Sequence, residues 1–266
     1  MLRKTHIAQR VMRQRYSDID QAIIQRGSNM FNSKTVAIIG GTSGIGLRVA
    51  EIAISQGASV IVGGRNIERI DKAVQRLGSS ARGAEVDNLD QASIKAFFEA
   101  AGAIDHLFTP GASYARGRID EASDDVAESS FKSKFWGQYY AVKHALPYLA
   151  KDGSITLMAG AYSVRPASNG AAYGACNAAI EGLGRSLAVE LAPVRVNVVS
   201  PGTIDSDLWQ RQPPALRDAS FSSYGDVALL KRVGTTDEVA DAVVFLMKNT
   251  FMTGSTLYPD GGFALR

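Results

Sequence analysis

The sequence has little of what would mark a secreted, membrane-spanning or metal-binding protein. Cys176 is its only cysteine, so no internal disulfide can form, and a reducing, cytoplasmic location is expected. The longest apolar stretches, such as residues 155–161, fall far short of the roughly 18 residues that a membrane span needs. No signal-peptide pattern opens the chain, and the three histidines lack metal-ligand spacing. We therefore predict no membrane association and no metal site.

Charge and composition exclude further classes. The formal net charge of +3 is too small to indicate a nucleic-acid partner. Apolar residues at 45% and charged residues at 21% are typical of a globular protein, which excludes a disordered chain, a collagen-like fibre and a coiled coil. At roughly 150 residues per domain, a chain of 266 residues fits one or two domains.

Short apolar runs alternate with longer helical patterns from residue 35 onward. The predicted strands are rich in Val and Ile and are Thr35–Ile39, Ser59–Val62, Ala84–Val86, Ile104–Phe108, Ser154–Met158 and Val194–Val199. The predicted helices are Gly44–Ser55, Ile67–Leu77, Gln91–Ala100, Ile119–Leu149, Ala171–Leu191 and Asp237–Met247. This alternation predicts an α/β fold with a parallel sheet covered by helices on both faces, in one domain over residues 33–266.

Residues 1–32 are distinct from that domain. Six basic side chains are opposed there by only Asp18 and Asp20, and the apolar residues recur at near-helical spacing. The segment fits a basic helix for a membrane surface or an organelle address, or a helical arm packed on the domain or a partner subunit. Alternatively, Met30 is the natural start.

A glycine-rich turn follows the first strand. The segment Thr35–Gly46 reads TVAIIGGTSGIG, in which Gly40 permits a tight turn and Gly44 lets the backbone approach a pyrophosphate. Gly46 lets the following helix pack close to the strand, and the N-terminus of that helix offers free N–H groups to phosphates. The pattern, in this position, predicts a dinucleotide site.

The end of the second strand indicates which dinucleotide binds. An acid there would bind the ribose of NAD, but the chain has Arg65, whose planar guanidinium can pair with the 2′-phosphate of NADP. The hydroxyls of Thr42 and Ser43 are expected nearby. We therefore predict NADP(H) as the cofactor.

Several further motifs together resemble the short-chain dehydrogenase/reductase family. They are Gly40-x-x-x-Gly44-x-Gly46, Asp87 after the third strand, Tyr173 in a helix of small residues, Arg195–Gly202 (RVNVVSPG) and Asp260-Gly261-Gly262. The resemblance covers residues 35–263. It implies a Rossmann-type, doubly wound parallel sheet of about seven strands, a nicotinamide cofactor, a small-molecule carbonyl or alcohol substrate, and a homodimer or homotetramer.

The resemblance also implies a set of cofactor-binding residues. Asp87 would hold the adenine, and Ile204 and Ser206 would lie by the nicotinamide carboxamide. The full predicted set is Gly40, Thr42, Ser43, Gly44, Ile45, Gly46, Arg65, Asn66, Asp87, Asn88, Gly111, Tyr173, Asn177, Pro201, Gly202, Ile204 and Ser206.

The catalytic positions depart from the pattern of the family, which uses Asn, Ser, Tyr and Lys. Here Lys134 stands at the Asn position, Gly160 at the Ser position and Asn177 at the Lys position, and Tyr173 is kept. Lys and Asn are thus exchanged. Because the resemblance implies that the two positions are neighbours, we predict that Lys134 brings its ammonium to the Tyr173 hydroxyl. Tyr173, Lys134 and Asn177 are the predicted catalytic residues.

Two functions fit these residues. The first is an NADPH-dependent oxidoreductase that interconverts a carbonyl and an alcohol, with Tyr173 as proton donor. The second is an NADP(H)-binding protein without turnover, acting as a sensor or a structural partner. A variable lid is expected at about residues 205–230, and its Trp209, Phe221 and Tyr224 suit an apolar or aromatic substrate. Tyr162, Ser163 and Arg165 are weaker candidates for substrate contact, and Cys176 is expected to be a packing residue.

Overall fold

The computed structural model describes residues 30–265, so the interpretations of residues 1–29 lie outside the described part of the chain. Residues 30–33 form a turn in which Phe31 is fully buried and packs edge-on against His106, with ring centroids 5.4 Å apart. Phe31 thus anchors this turn in the core. Within residues 30–265, no helix is both long enough and apolar enough to cross a membrane.

A seven-stranded parallel sheet forms the centre of the molecule, as predicted. Its strands are β1 Thr35–Ile39, β2 Ser59–Gly64, β3 Ala81–Glu85, β4 Ile104–Thr109, β5 Leu149–Met158 and β6 Arg195–Val199, and its last strand is Thr256–Leu257. Strands β7 Ile204–Asp205 and β8 Gly234–Thr235 pair separately, which makes the last strand of the large sheet β9. The strand order is β3-β2-β1-β4-β5-β6-β9. The chain therefore adds β2 and β3 on one side of β1 and then crosses over to add β4 and the later strands on the other side. In open α/β sheets, ligands bind where the order reverses in this way, beyond the carboxyl ends of the strands.

Helices cover both faces of the sheet. They are α1 Gly44–Ser55, α2 Ile67–Leu77, α3 Gln91–Ala101, α4 Asp124–Ser130, α5 Gly137–Ala145, α6 Ala171–Glu190, α7 Asp207–Gln210, α8 Pro214–Val227 and α9 Thr236–Lys248. A π-helical stretch, Phe131–Trp136, joins α4 to α5. Two buried apolar clusters, one against each face, form the core.

Several elements differ from their predicted bounds; β5, for example, begins at Leu149 rather than at Ser154. Strand β3 begins at Ala81 rather than Ala84, because the edge residues Arg82 and Gly83 pair with β2 although they are polar or small and exposed. The helix predicted over residues 119–149 begins only at Asp124 and ends at Ala145. Ile119 before it is 89% exposed, and Leu149 after it already pairs with Ile104 in the sheet. The prediction relied on apolar spacing alone, and it therefore included residues of the preceding turn and of the following strand.

Candidate active site

Two glycines of the turn after β1 have no room for a side chain. A Cβ on Gly40, whose φ is +96°, would lie 2.5 Å from the Cα of Gly111, in the loop after β4. A Cβ on Gly46 would lie 2.1 Å from the carbonyl oxygen of Gly40. The turn is therefore pressed against both the neighbouring loop and the start of α1, which places the N-terminus of α1 at the reversal point of the sheet.

That helix N-terminus is suited to an anion. The first turn of α1 holds no acidic residue, and the N-cap Ser43 makes no capping hydrogen bond. The N–H of Gly44 instead donates to Oδ2 of Asp207 at 3.0 Å, so a carboxylate from α7 stands where a phosphate would be expected. A Cβ on Gly44 would meet only Ser206, at 3.7 Å. The predicted phosphate-binding residues thus fit a dinucleotide.

The residues at the end of β2 have different surroundings. Arg65 is exposed and its Nη2 donates to Oγ of Ser113 at 2.9 Å, while Thr42 lies against Gly64. Asn66 caps α2, since its Oδ1 accepts from the N–H of Arg69 at 2.9 Å. The guanidinium of Arg65 is therefore exposed to a ligand at the rim of the site. The side chain of Asn66, in contrast, is already used to cap α2.

Asp87 and Asn88 line the same edge after β3. Oδ1 of Asp87 accepts from the N–H of Leu89 at 3.0 Å, and the amide of Asn88 donates to the carbonyl of Gly111. At the opposite side, Pro201 accepts from the N–H of Ala161 at 2.9 Å, and Ile204 lies in β7. The structure thus places these predicted cofactor residues beyond the carboxyl ends of the strands.

Tyr173, Asn177 and Lys134 meet beneath that edge. Tyr173 and Asn177 lie one turn apart on α6, and Lys134 projects from the π-helical stretch. Nζ of Lys134 donates to Oδ1 of Asn177 and to the carbonyl of Ala159, both at 2.6 Å, and lies 5.1 Å from the ring centroid of Tyr173. The exchanged Lys and Asn are therefore in direct contact. Lys134 reaches the ring side of Tyr173, and its hydrogen bonds go to Asn177 and Ala159 rather than to the tyrosine hydroxyl.

Burial governs the ionisation of these groups. Lys134 is 3% exposed, and this burial lowers its pKa because no carboxylate faces the ammonium among the described residues. Burial also raises the pKa of Tyr173, and hydrogen bonds from Tyr114 and Asn177 offset this only in part. The Tyr173 hydroxyl is consequently protonated at neutral pH.

Gly160 lies close beside this group. A Cβ at that position would lie 3.2 Å from Oη of Tyr173 and 3.4 Å from Oδ1 of Asn177. Residue 160 therefore occupies the expected place next to the tyrosine hydroxyl but offers it no side chain.

The loop after β4 contributes two residues that the sequence analysis missed. Tyr114 stacks on Tyr173, with ring centroids 4.5 Å apart, and its hydroxyl donates to that of Tyr173 at 3.0 Å. Arg116 lies over the rings of Tyr162 and Tyr173, at 5.5 and 5.9 Å, and donates to the Tyr162 hydroxyl at 3.1 Å. Their only signal in the sequence is their place after a strand of a parallel sheet, where functional loops gather.

The weaker candidates are mostly engaged in structural contacts. Ser163 donates to the buried Glu181 at 2.5 Å, and Arg165 donates to the carbonyl of Phe263 at 2.8 Å. Cys176 is fully buried, and its thiol contacts the carbonyl of Ser130 at 3.3 Å. Tyr162 alone has its hydroxyl at the site, where its ring meets Tyr173 edge-on at 5.5 Å.

The segment predicted as a lid consists of α7 and α8 and the turns around them. Trp209 packs edge-on against Phe221, with centroids 5.5 Å apart. The Tyr224 hydroxyl donates to the carbonyl of Asp260 at 2.6 Å, which ties α8 to the C-terminal loop. Only Tyr224 of these three aromatic residues is buried. The function of this segment as a lid stays a prediction.

Comparison with known proteins adds the family. A family model described as enoyl-(acyl carrier protein) reductase matches residues 40–264. The chain belongs to the short-chain dehydrogenase/reductase family. It is 30% identical to the short-chain dehydrogenase/reductase ucsE of Acremonium sp, over 89% of this chain and 97% of that protein. It is 31% identical to dehydrogenase/reductase SDR family member 4 of Caenorhabditis elegans, over 89% of this chain and 97% of that one.

Solved structures of other short-chain dehydrogenase/reductases share the fold. One from Brucella melitensis is 29% identical, with a TM-score of 0.83 over 89% of this chain and 98% of that chain. A small-chain dehydrogenase in complex with NADPH is 32% identical, with a TM-score of 0.74 over 88% of this chain and 99% of that chain. The chain is accordingly an oxidoreductase by family, on a Rossmann-type fold.

Proposed function

We propose that this short-chain dehydrogenase/reductase is an NADPH-dependent reductase that converts a carbonyl to an alcohol on a small apolar or aromatic substrate. The observation that carries the proposal is the contact of Lys134 with Asn177 beneath Tyr173. Although Lys and Asn have exchanged positions relative to the family pattern, a lysine cation and an amide that could bind the nicotinamide ribose are both still next to Tyr173.

The cofactor assignment rests on the site and on the relatives. Arg65 is exposed at the rim, where its guanidinium can pair with a 2′-phosphate, and Gly44 presents an N–H to the pyrophosphate position. A structural relative binds NADPH. When bound, NADPH supplies the hydride that reduces the carbonyl carbon.

Tyr173 supplies the proton in this scheme. Because its pKa is raised, its hydroxyl carries a proton that it can donate to the carbonyl oxygen as the alkoxide develops. The ammonium of Lys134, below the tyrosine ring, stabilises the tyrosinate that remains, and solvent then restores the proton. A protonated tyrosine favours reduction over oxidation at neutral pH.

The second candidate is an NADP(H)-binding protein without turnover. It is favoured by Gly160, which supplies no hydroxyl where the family has serine. An assay of NADPH oxidation with aryl ketones, diketones and quinones separates the two functions. NADPH binding, followed by fluorescence, confirms in the same experiment that the cofactor site is intact.

We expect turnover by the wild-type protein and its loss in Tyr173→Phe, with NADPH affinity unchanged within about threefold because the ring is retained. Tyr148→Phe is the matched control, since Tyr148 precedes β5 at the opposite edge of the sheet. Tight NADPH binding without turnover of any compound would favour the non-catalytic function. Full activity of Tyr173→Phe would exclude Tyr173 as the proton donor.

A further inference from the structure

Two tyrosine hydroxyls, not one, lie together at the candidate site. Those of Tyr114 and Tyr173 are 3.0 Å apart, and the two rings are stacked at an interplanar angle of 20°. The pair therefore presents two O–H groups side by side. A carbonyl oxygen has two lone pairs and can accept from two donors at once.

The backbone on both sides of Tyr114 is held in place by hydrogen bonds. The N–H of Ser113 donates to Oγ of Ser133 at 3.0 Å, and the N–H of Ala115 donates to Oγ of Ser129 at 3.0 Å. Ser133, which is 2% exposed, belongs to the π-helical stretch that also carries Lys134. One element thus positions both the cation and the backbone around Tyr114, as preorganised electrostatic stabilisation requires.

The close approach of Gly160 to the other side of Tyr173 is consistent with this arrangement. Gly160 contributes no donor, and an added Cβ there would already crowd the Tyr173 hydroxyl at 3.2 Å. The second hydroxyl therefore approaches Tyr173 from the β4 loop rather than from the end of β5. Lys134 lies within reach of both rings, with Nζ 5.1 Å from the centroid of Tyr173 and 5.8 Å from that of Tyr114.

We propose that Tyr114 is a catalytic residue whose hydroxyl donates, together with that of Tyr173, to the carbonyl oxygen of the substrate. This inference rests on the proposed reductase function. In it, the bond between the two hydroxyls is exchanged for two bonds to the carbonyl oxygen. Tyr173 then transfers its proton, and Tyr114 keeps its own and stabilises the developing charge.

Benzamide and acetophenone test the proposal, because they have nearly the same shape and only acetophenone is a ketone that can be reduced. Benzamide is titrated into the protein–NADPH complex to measure carbonyl binding without turnover, and acetophenone reduction is measured alongside. In Tyr114→Phe, which keeps the stacked ring, we expect benzamide affinity to fall roughly fivefold. We expect kcat/KM for acetophenone to fall on the order of 100-fold, with NADPH affinity and the melting temperature retained.

Tyr148→Phe is the matched comparison, since Tyr148 precedes β5, at the end of the sheet opposite the site. It should leave benzamide affinity within twofold. Unchanged benzamide affinity in Tyr114→Phe would overturn the proposal, as would a wild-type complex that does not bind benzamide. If benzamide binding depends on Tyr114 but acetophenone is never reduced, Tyr114 is upheld as a carbonyl donor and the reductase function fails.

Discussion

Burying the ammonium of Lys134 costs desolvation free energy, and the position of that buried charge indicates its role. Its ammonium is buried, and among residues 30–265 it bonds only to the amide oxygen of Asn177 and the carbonyl of Ala159, near the rings of Tyr114 and Tyr173, so no carboxylate neutralises its charge. Buried lysines without a carboxylate partner are rarely retained for stability. Its side chain ends beneath Tyr173, where a positive charge lowers the energy of a tyrosinate.

Replacing Lys134 should therefore affect the reaction more than cofactor binding. For Lys134→Met we expect kcat to fall roughly 10- to 100-fold and the alkaline limb of the kcat/KM profile to move to higher pH, because the cation that favours tyrosinate is gone. Lys132→Met is the control, since Lys132 is exposed and bonds Glu128 at 2.6 Å. An unaltered pH profile in Lys134→Met would rule out a role for its charge.

The sequence could identify Tyr173, Lys134 and Asn177 as candidates because each lies at a fixed distance from a motif. It could not identify Tyr114, because its contact with Tyr173 joins residues 59 positions apart and comes from an irregular loop. No periodicity marks such a residue. The same is true of the capping bond of Asn66, which only the helix geometry shows.

At the scale of elements, α1 and α2 begin and end at the predicted residues because glycine turns and a capping asparagine bound them. The long helix was wrong at both ends, since its apolar pattern continues into the turn before Asp124 and the strand after Tyr148. The π-helical stretch was not predicted either. It depends on hydrogen bonds across one extra residue, which side-chain spacing does not record.

The close packing of Gly46 in α1 against the turn after β1 leads to a prediction, for which Gly182 in α6 is the comparison. Gly46→Ala forces a Cβ against the Gly40 carbonyl, so we expect a loss of about 1–3 kcal/mol in the free energy of unfolding and a large loss of NADPH affinity. Gly182→Ala is the opposite case, because in α6 its Cβ would meet only Arg185, at 3.9 Å. It should stabilise the protein by about 0.5–1 kcal/mol. Urea unfolding and NADPH titration of both variants measure these effects, and a stable Gly46→Ala that binds NADPH normally would contradict the packing argument.

For the whole molecule, the doubly wound sheet of about seven strands was predicted through the family resemblance more than through apolar patterns. Most strands contain runs of apolar residues, but β3 has neither Val nor Ile, and β9 consists of two half-buried residues, Thr256 and Leu257. β9 pairs with β6 through backbone hydrogen bonds, which its short sequence does not predict. The predicted homo-oligomer and the cytoplasmic location stay predictions, although Trp136 and Tyr139 on one helical surface are 44% and 38% exposed.

The stability of the whole molecule should depend on pH through His106. This histidine is buried beneath Phe31 and bonds Ser154 at 2.8 Å, and burial lowers its pKa to about 4. Because the unfolded chain takes up the proton near pH 6.5, the unfolded state gains protons first as the pH falls. We therefore expect a loss of about 2 kcal/mol in the free energy of unfolding between pH 7.5 and 5.

His106→Gln should remove that part of the pH dependence, and urea titrations at the two pH values measure it. His144→Gln, which replaces a half-buried histidine, provides the comparison. Equal pH dependence in the wild-type protein and His106→Gln would show that other groups cause the loss.

The bond between Gly44 and Asp207 has a consequence for how the site fills. One N–H cannot serve a carboxylate and a phosphate together, so an arriving pyrophosphate must release α7 from the start of α1. The two anions compete, and by linkage whatever holds α7 in place weakens the cofactor by the same factor. The segment predicted as a lid is therefore an internal competitor of the cofactor, and its release would report that the cofactor has arrived.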